Sequence, residues 1–260
     1  MKKSLTLSRN CLATLALGII MPPVAAELCQ GLAIPAYFYP SPLWTAAIAS
    51  APHTAIMVVN PDSGPGTDKD PNYIKTVKAA QLAGIKILGY VHTHDTPLAP
   101  EALRKMDTVK AEIDTYKSRY GVDGIFLDEA SSSAVDIAYY KMVANYVRAK
   151  KGGFVMLNPG VIPDQAYIKL ADTTIVFEET YAVYQDWTPP SWIYDYPAGK
   201  FTHLVHTTAT DVQMIDAIDL SRSKNAGFLY ITDGVMDNPW DSLPTYWQTE
   251  LSTITAKCLL

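Results

Sequence analysis

Eight short runs of β-branched, aliphatic and aromatic residues recur along this chain, and most are separated by stretches with helical periodicity. The runs are Leu32 to Tyr37, Thr54 to Asn60, Lys86 to His92, Gly124 to Asp128, Phe154 to Asn158, Thr174 to Glu178, Phe201 to His206 and Gly227 to Thr232. Most are apolar without interruption, as in Ala55-Ile56-Met57-Val58-Val59. A strand with one wet face would alternate, so these runs read as parallel strands covered on both sides. Amphipathic stretches lie between them at Tyr73 to Ala83, Thr108 to Tyr120, Val135 to Lys150, Gln165 to Ala171 and Val212 to Lys224, and Leu243 to Lys257 closes the chain. Gly84 and Gly227 stand where helix gives way to strand. Eight such units predict a single α/β domain folded as a (β/α)8 TIM barrel. An open doubly wound sheet would ordinarily carry a Gly-rich first turn, and none is present.

The first 26 residues read as an address rather than as fold. Lys2, Lys3 and Arg9 precede an apolar stretch from Cys11 to Met21, and Val24-Ala25-Ala26 supplies small residues ahead of Glu27. This is the pattern of a secretory signal peptide, too short in its apolar part to span a bilayer. The barrel domain is then expected over residues 27–260, in a secreted or periplasmic protein with no membrane segment after cleavage. Losing three basic and no acidic residues takes the formal charge from −5 to −8. Cys29 and Cys258 remain near the two ends, and export makes a disulfide between them the expected state, against two free thiols.

Composition narrows the chemistry. A net charge of −5 without a run of Lys or Arg argues against a nucleic-acid partner. GxxxxGK[ST], GxGxxG and CxxC are all absent, which removes phosphate cradling, dinucleotide redox and Cys-based zinc sites. No cofactor is implied, and nothing points beyond a monomer. Sixteen Tyr and five Trp against six Phe favour a wet binding surface, because Tyr and Trp pair a flat apolar face with a polar edge.

In a (β/α)8 barrel the reacting groups sit at the carboxyl ends of the strands. There the chain places Tyr37 and Tyr39, Asn60, then Tyr90 with His92 and His94-Asp95. Asp128-Glu129, Asn158, Glu178-Glu179, His206 and Asp233 complete the rim. An acid ending a buried strand is costly to desolvate unless something uses or pairs it. Strands four and six are two apart, so their ends should lie roughly 8–10 Å apart by Cα. That spacing lets two carboxyls act on one glycosidic bond, one protonating the leaving oxygen while the other attacks or activates water. His92-x-His94-Asp95 has a loose ligand-like spacing, but the favoured reading assigns no metal and has His92 and His206 hydrogen-bond sugar hydroxyls or orient the acids. Tyr181, Tyr184, Trp187, Trp192, Tyr194 and Tyr196 follow strand six in a Pro-containing stretch, read as a stiff loop. It either lines a glycan groove or packs as a lid. Trp44 and Trp240 also fall near the rim.

Six blocks resemble one family in order. They are Pro35-Ala36-Tyr37-Phe38-Tyr39-Pro40, Val59-Asn60-Pro61-Asp62-Ser63-Gly64-Pro65-Gly66, Gly89-Tyr90-Val91-His92-Thr93, Gly121-Val122-Asp123-Gly124-Ile125-Phe126-Leu127-Asp128-Glu129, Leu157-Asn158-Pro159-Gly160 and Val176-Phe177-Glu178. Together they resemble the spherulation-specific family 4 (spherulin-4-like) proteins over about residues 33–240. The resemblance implies a (β/α)8 fold and an endo-acting glycoside hydrolase. The family includes a fungal enzyme that cleaves α-1,4-linked N-acetylgalactosamine in galactosaminogalactan, and related hydrolases accompany Pel-type exopolysaccharide systems. It implies a polysaccharide partner and acidic active-site positions at Asp128, Glu129 and Glu178. By analogy with other α-glycosidase barrels, Asp128 is the nucleophile and Glu178 the general acid/base, with Glu129 tuning Asp128 or holding the amino-sugar substituent. The chain departs from the family pattern after Thr93, where His94-Asp95-Thr96-Pro97 replaces a Gly-rich turn. The rivals are a non-catalytic glycan-binding barrel, a metal-dependent polysaccharide deacetylase and a chitinase-like enzyme. The last expects D-G-x-D-x-D-x-E, and Asp123 to Glu129 lacks its middle Asp and brings Glu one residue early.

Overall fold

The computed structural model describes residues 29–94, 102–151 and 153–258. The signal-peptide reading of residues 1–26 and Asp95 of the histidine cluster lie outside them. Eight parallel strands close into a barrel in chain order: β1 (Gly31–Ala36), β2 (Thr54–Val59), β3 (Lys86–His92), β4 (Gly124–Asp128), β5 (Phe154–Leu157), β6 (Thr173–Thr180), β7 (Phe201–His206) and β8 (Phe228–Ile231). The last strand pairs with the first through Leu32 and Leu229. The continuous apolar runs are buried on both faces, as their lack of alternation predicts.

Seven α-helices wrap the barrel among the described residues: α1 (Pro42–Ala49), α2 (Pro71–Leu82), α3 (Met106–Tyr120), α4 (Ile137–Arg148), α5 (Tyr181–Asp186), α6 (Asp211–Ser223) and α7 (Trp247–Cys258). A 3₁₀ turn, Gln165–Lys169, is all that spans β5 to β6. Two of these helices correct the sequence reading. α1 has no polar stripe to give it a period, yet Ser41 caps it through Leu43 N and Pro42 opens its first turn. α5 falls in the stretch read as a stiff loop. Thr180 caps it through Val183 N, and it ends before Pro189.

Two glycines show what the chain needs at its corners. Gly84 takes φ +89° after α2, a left-handed stop that a side chain would strain. At Gly89 a Cβ would stand 2.4 Å from the Tyr116 ring, so α3 seats on β3 only because that position is bare. Tyr116 is fully buried there and donates its hydroxyl to Val59 O at 3.2 Å. Gly227 is no positive-φ stop; a Cβ on it would meet the backbone of Ala198 and Gly199.

Cys29 and Cys258 form the expected disulfide, with Cα atoms 4.8 Å apart. It ties the lead-in of β1 to the end of α7. Among the described residues no helix is long and apolar enough to cross a membrane.

Candidate active site

Strand alternation decides which polar residues meet. On β4, Phe126 and Asp128 share the inner face, and on β3 Tyr90 and His92 do. The Tyr90 ring stacks on Phe126 with centroids 6.0 Å apart, and the edge of Tyr37 meets Tyr90 at 5.6 Å. These rings form an apolar layer just beneath the carboxyl ends of the strands. Asp128 sits on that layer, and the Tyr90 hydroxyl donates to its carboxylate.

Asn158, one residue past β5, ties the rim together. Its Nδ2 donates to Asp128 Oδ1 and to Glu178 Oε2, each at 2.7 Å. Its Oδ1 accepts from Gly160 N at 3.0 Å, which fixes the side-chain amide with the NH2 toward the acids. Gly160 takes φ +66° to make this turn, and its carbonyl accepts from Glu178 N at 3.0 Å. Because the two carboxyl oxygens share one nitrogen, they lie no farther apart than twice 2.7 Å.

The electrostatics divide the two acids. Burial pushes Glu178 up to about 7, and the neighbouring Asp128 adds to the rise; hydrogen bonds from Asn158 and the Trp240 indole oppose it. Burial raises Asp128 as well, but three donors act against it: the Tyr90 hydroxyl, the Asn158 amide and the Glu129 backbone N–H. Two acids so close in a dry site cannot both ionise cheaply, so the pair holds a proton in common near neutrality, and Glu178 is its natural seat.

Glu129 turns out of this centre. It holds φ +52°, a left-handed conformation uncommon for a residue with a side chain, and its side chain is exposed. Its carbonyl accepts from the Thr93 hydroxyl at 3.0 Å and from His94 Nδ1. The strained turn aims two adjacent acids in different directions. His92 is half-buried on the lip, its ring 6.2 Å from that of Tyr90. His206 ends β7, buried, with Nδ1 at 2.9 Å from Thr207 Oγ1 and Nε2 at 3.9 Å from Glu179 Oε1.

Of the residues picked out by the sequence, the structure thus assembles Tyr37, Tyr90, His92, Asp128, Asn158, Glu178, Glu179 and His206, with Glu129 at their edge. Five others are held elsewhere by local bonding. Tyr39 is exposed and bridges Asp70 and Asn72 at the start of α2. Asn60 Oδ1 caps its own turn through Gly64 N, and Asp233 binds Thr245 N and its hydroxyl. Tyr181 is buried on α5 with its hydroxyl on Asp216 of α6. Trp187 packs on Phe177, Tyr184 and His203, on the face of β6 opposite Glu178. The aromatic stretch is therefore neither groove nor lid: its apolar faces clad the barrel flank where a longer helix would otherwise lie. Trp44 is buried under α1, its indole donating to Phe38 O at 3.0 Å.

Trp240 belongs to the centre although the sequence reading left it unassigned. It lies in the loop between β8 and α7, stands edge-on to His206, and donates to Glu178. Its carbonyl accepts from Tyr37 N at 3.2 Å, so the loop is stitched to β1. Asn238-Pro239-Trp240, a turn signal directly ahead of an aromatic residue past the last strand, was the available clue. Trp240, Pro239, Met236, Val161, Glu178, Glu179 and His206 line a cleft of about 460 Å³.

Comparisons with known proteins bear on the family and the fold. Spherulin-4 of Physarum polycephalum is 34% identical over 242 residues, covering 86% of this chain and 70% of that protein. The crystal structure of Aspergillus clavatus Sph3 in complex with GalNAc superposes with a TM-score of 0.75 at 26% identity, covering 88% of this chain and 98% of that one. A chitinase from Chromobacterium violaceum, 11% identical with a TM-score of 0.56 over 87% of this chain and 99% of its own, shares the fold alone. The family model described as "Spherulation-specific family 4" matches residues 31–254. The chain belongs to spherulation-specific family 4.

Proposed function

We propose that this protein is a secreted or periplasmic endo-acting glycoside hydrolase that cleaves α-1,4-linked N-acetylgalactosamine or galactosamine exopolysaccharide with two carboxylates. The observation that carries the reading is the single Asn158 amide donating to both Asp128 and Glu178. It supports a carboxyl separation near the ~5–5.5 Å of retaining enzymes, short of the ~6.5–9.5 Å that leaves room for a water. The match to a structure solved with GalNAc supports the sugar class.

In this mechanism the Asp128 carboxylate, its charge held by Tyr90, Asn158 and the Glu129 N–H, attacks the anomeric carbon. The glycosidic C–O bond breaks as Glu178 gives its proton to the departing oxygen. Glu178, now ionised, takes a proton from water, whose oxygen attacks the same carbon and releases Asp128. The anomeric configuration is retained over the two steps. Burial that keeps Glu178 protonated to about pH 7 suits the first of its two roles. Glu129, exposed at the lip, contacts the sugar substituent rather than the anomeric centre.

The test is reducing-end release from an α-1,4-N-acetylgalactosamine-rich polymer by the mature protein, Asp128→Asn and Glu178→Gln, each with and without chelator. Chelator-resistant cleavage lost in both variants is the expected result. Binding of the polymer without cleavage by the intact protein would instead make it a glycan-binding barrel, and acetate release stopped by chelation would make it a deacetylase.

A further inference from the structure

The cleft beside Glu178 carries an imbalance of charge that the hydrolytic mechanism does not use. Glu178, Glu179 and Asp237 all line it, whereas among the described residues no Lys or Arg does. Glu179 is half exposed, and beyond its own backbone (Thr180 N at 2.8 Å) the nearest partner is His206, at 3.9 Å. His206 is itself only 6% exposed. Its Nδ1 is engaged by Thr207, and among the described residues the nearest acceptor to Nε2 is Glu179 Oε1 at 3.9 Å, beyond hydrogen-bond distance. Burial pushes the ring below its ordinary titration range, so at neutral pH it is an uncharged group and gives Glu179 no counter-ion. The rest of the lining is mostly apolar: Val161 and Met236 are 55% and 66% exposed, and Pro239 and Trp240 continue the surface on the loop that also carries Asp237.

A ligand that fits must therefore bring both a positive charge and C–H surface. A divalent cation supplies no apolar face, and among the described residues no three His, Cys, Asp or Glu side chains are placed to hold one. A hexosamine ring with a free ammonium group supplies both, and about 460 Å³ lies within the ordinary range of sugar-sized sites.

We propose that the cleft between the ends of β6 and β7 and the β8–α7 loop is a subsite for a non-acetylated amino sugar, with Glu179 as counter-ion to its ammonium, His206 Nε2 as a hydroxyl partner, and Met236 and Trp240 as the apolar wall. The proposal deepens the glycosidase reading and rests on it for the polymer, though not for the binding of the free sugar. It makes the enzyme selective for partly deacetylated chains, with the amine-bearing residue next to the bond that is cut. An acetamide in the same place would leave the Glu179 carboxylate facing a neutral group.

The experiment separates binding from turnover. Ligand-observed NMR titration measures galactosamine and N-acetylgalactosamine binding to the mature protein, Glu179→Gln, Glu179→Asp and His206→Ala. The wild type is expected to prefer galactosamine by about tenfold at low salt, the scale of one charge-assisted hydrogen bond at a half-exposed site. Glu179→Gln should bring that ratio to about one, and Glu179→Asp should keep part of it, an outcome that loss of structure would not give. His206→Ala should weaken both sugars and leave the ratio. Equal binding of the two sugars by the wild type, or an unchanged ratio in Glu179→Gln, overturns the subsite. Selective binding with no cleavage of any polymer leaves the subsite standing and removes the hydrolase; cleavage of fully and partly acetylated polymer at equal rates, with no sugar preference, does the reverse.

Discussion

The two faces of β6 carry comparable chemistry with opposite consequences. Inward, Glu178 meets Asn158, Asp128 and Trp240; outward, Phe177 meets Tyr184, Trp187 and His203. Burial moves titratable groups on both sides. Glu178 rises to about 7, while His203 falls to about 3, with the buried Lys224 adding to its fall. On the outer face the Tyr184 hydroxyl bonds His203 Nδ1 at 2.6 Å, Lys224 Nζ lies 4.4 Å from the Tyr184 ring centre, and none of the three lines the cleft beside Glu178. A displaced titration therefore marks function only where a ligand can arrive. The inner face joins a perturbed acid to a second acid and an open cleft; the outer face is the inside of a wall.

The contrast is broken most severely by Asp128→Asn and Glu178→Gln. Each should cut turnover by at least about a thousandfold, since nucleophile and proton donor are both required. The folded protein should not suffer for it. Glu178 binds its proton more tightly folded than unfolded, so its contribution to stability is full below about pH 4.5 and is lost as pH rises through about 7. Glu178→Gln should therefore raise the free energy of unfolding at pH 8 but not at pH 4, by on the order of 2–3 kcal/mol. A variant that is inactive and equally destabilised at both pH values would show that Glu178 is structural.

Trp187→Ala on the other face should do the reverse. Removing a large, partly buried ring from between Phe177 and His203 should cost about 2–3 kcal/mol of stability. Turnover per folded molecule should stay within about twofold, because the ring faces away from the rim. A large rise in KM without loss of stability would restore Trp187 to the groove.

His203 gives the outer face its own pH signature. Its folded titration lies below the unfolded one, so the folded state loses stability as pH falls from about 6.5 toward 3. His203→Gln should flatten the fall in unfolding free energy over that window, by on the order of 1–3 kcal/mol at its acid end. The same slope in both proteins would mean that other groups control acid unfolding.

The barrel was legible from sequence because buried parallel strands leave continuous apolar runs, and seven of the eight proposed strands agree with the structure within a residue at either end. The acids were legible for the same reason, since Asp128 and Glu178 break such runs. What the sequence hid was orientation. Tyr181 and Trp187 follow the same strand as Glu178, and only the packing of α5 shows that their faces turn to the flank. Asn60 and Asp233 sit at strand ends like Asn158, but short turns claim their side chains first. Trp240 was hidden by distance: it lies in a loop, far along the chain from the acid to which it donates. Glu250 on α7, which no strand-end pattern singles out, is fully buried, and its carboxyl is raised by burial.

The finest test of the inner face concerns that loop. The Trp240 indole donates to the ionised form of Glu178 and so lowers its titration, working against burial. Trp240→Phe keeps a ring against Tyr230 and His206 but removes the N–H. The proton on Glu178 should then be held to higher pH, by about half a unit. Because a general acid works only while protonated, kcat/KM of the wild type should fall as pH rises through about 7, and in Trp240→Phe that descending limb should move upward. The ascending limb belongs to the ionisation of Asp128, which the indole does not touch, and should stay where it is. Movement of the descending limb downward, or of both limbs together, would place the descending ionisation on a group other than Glu178.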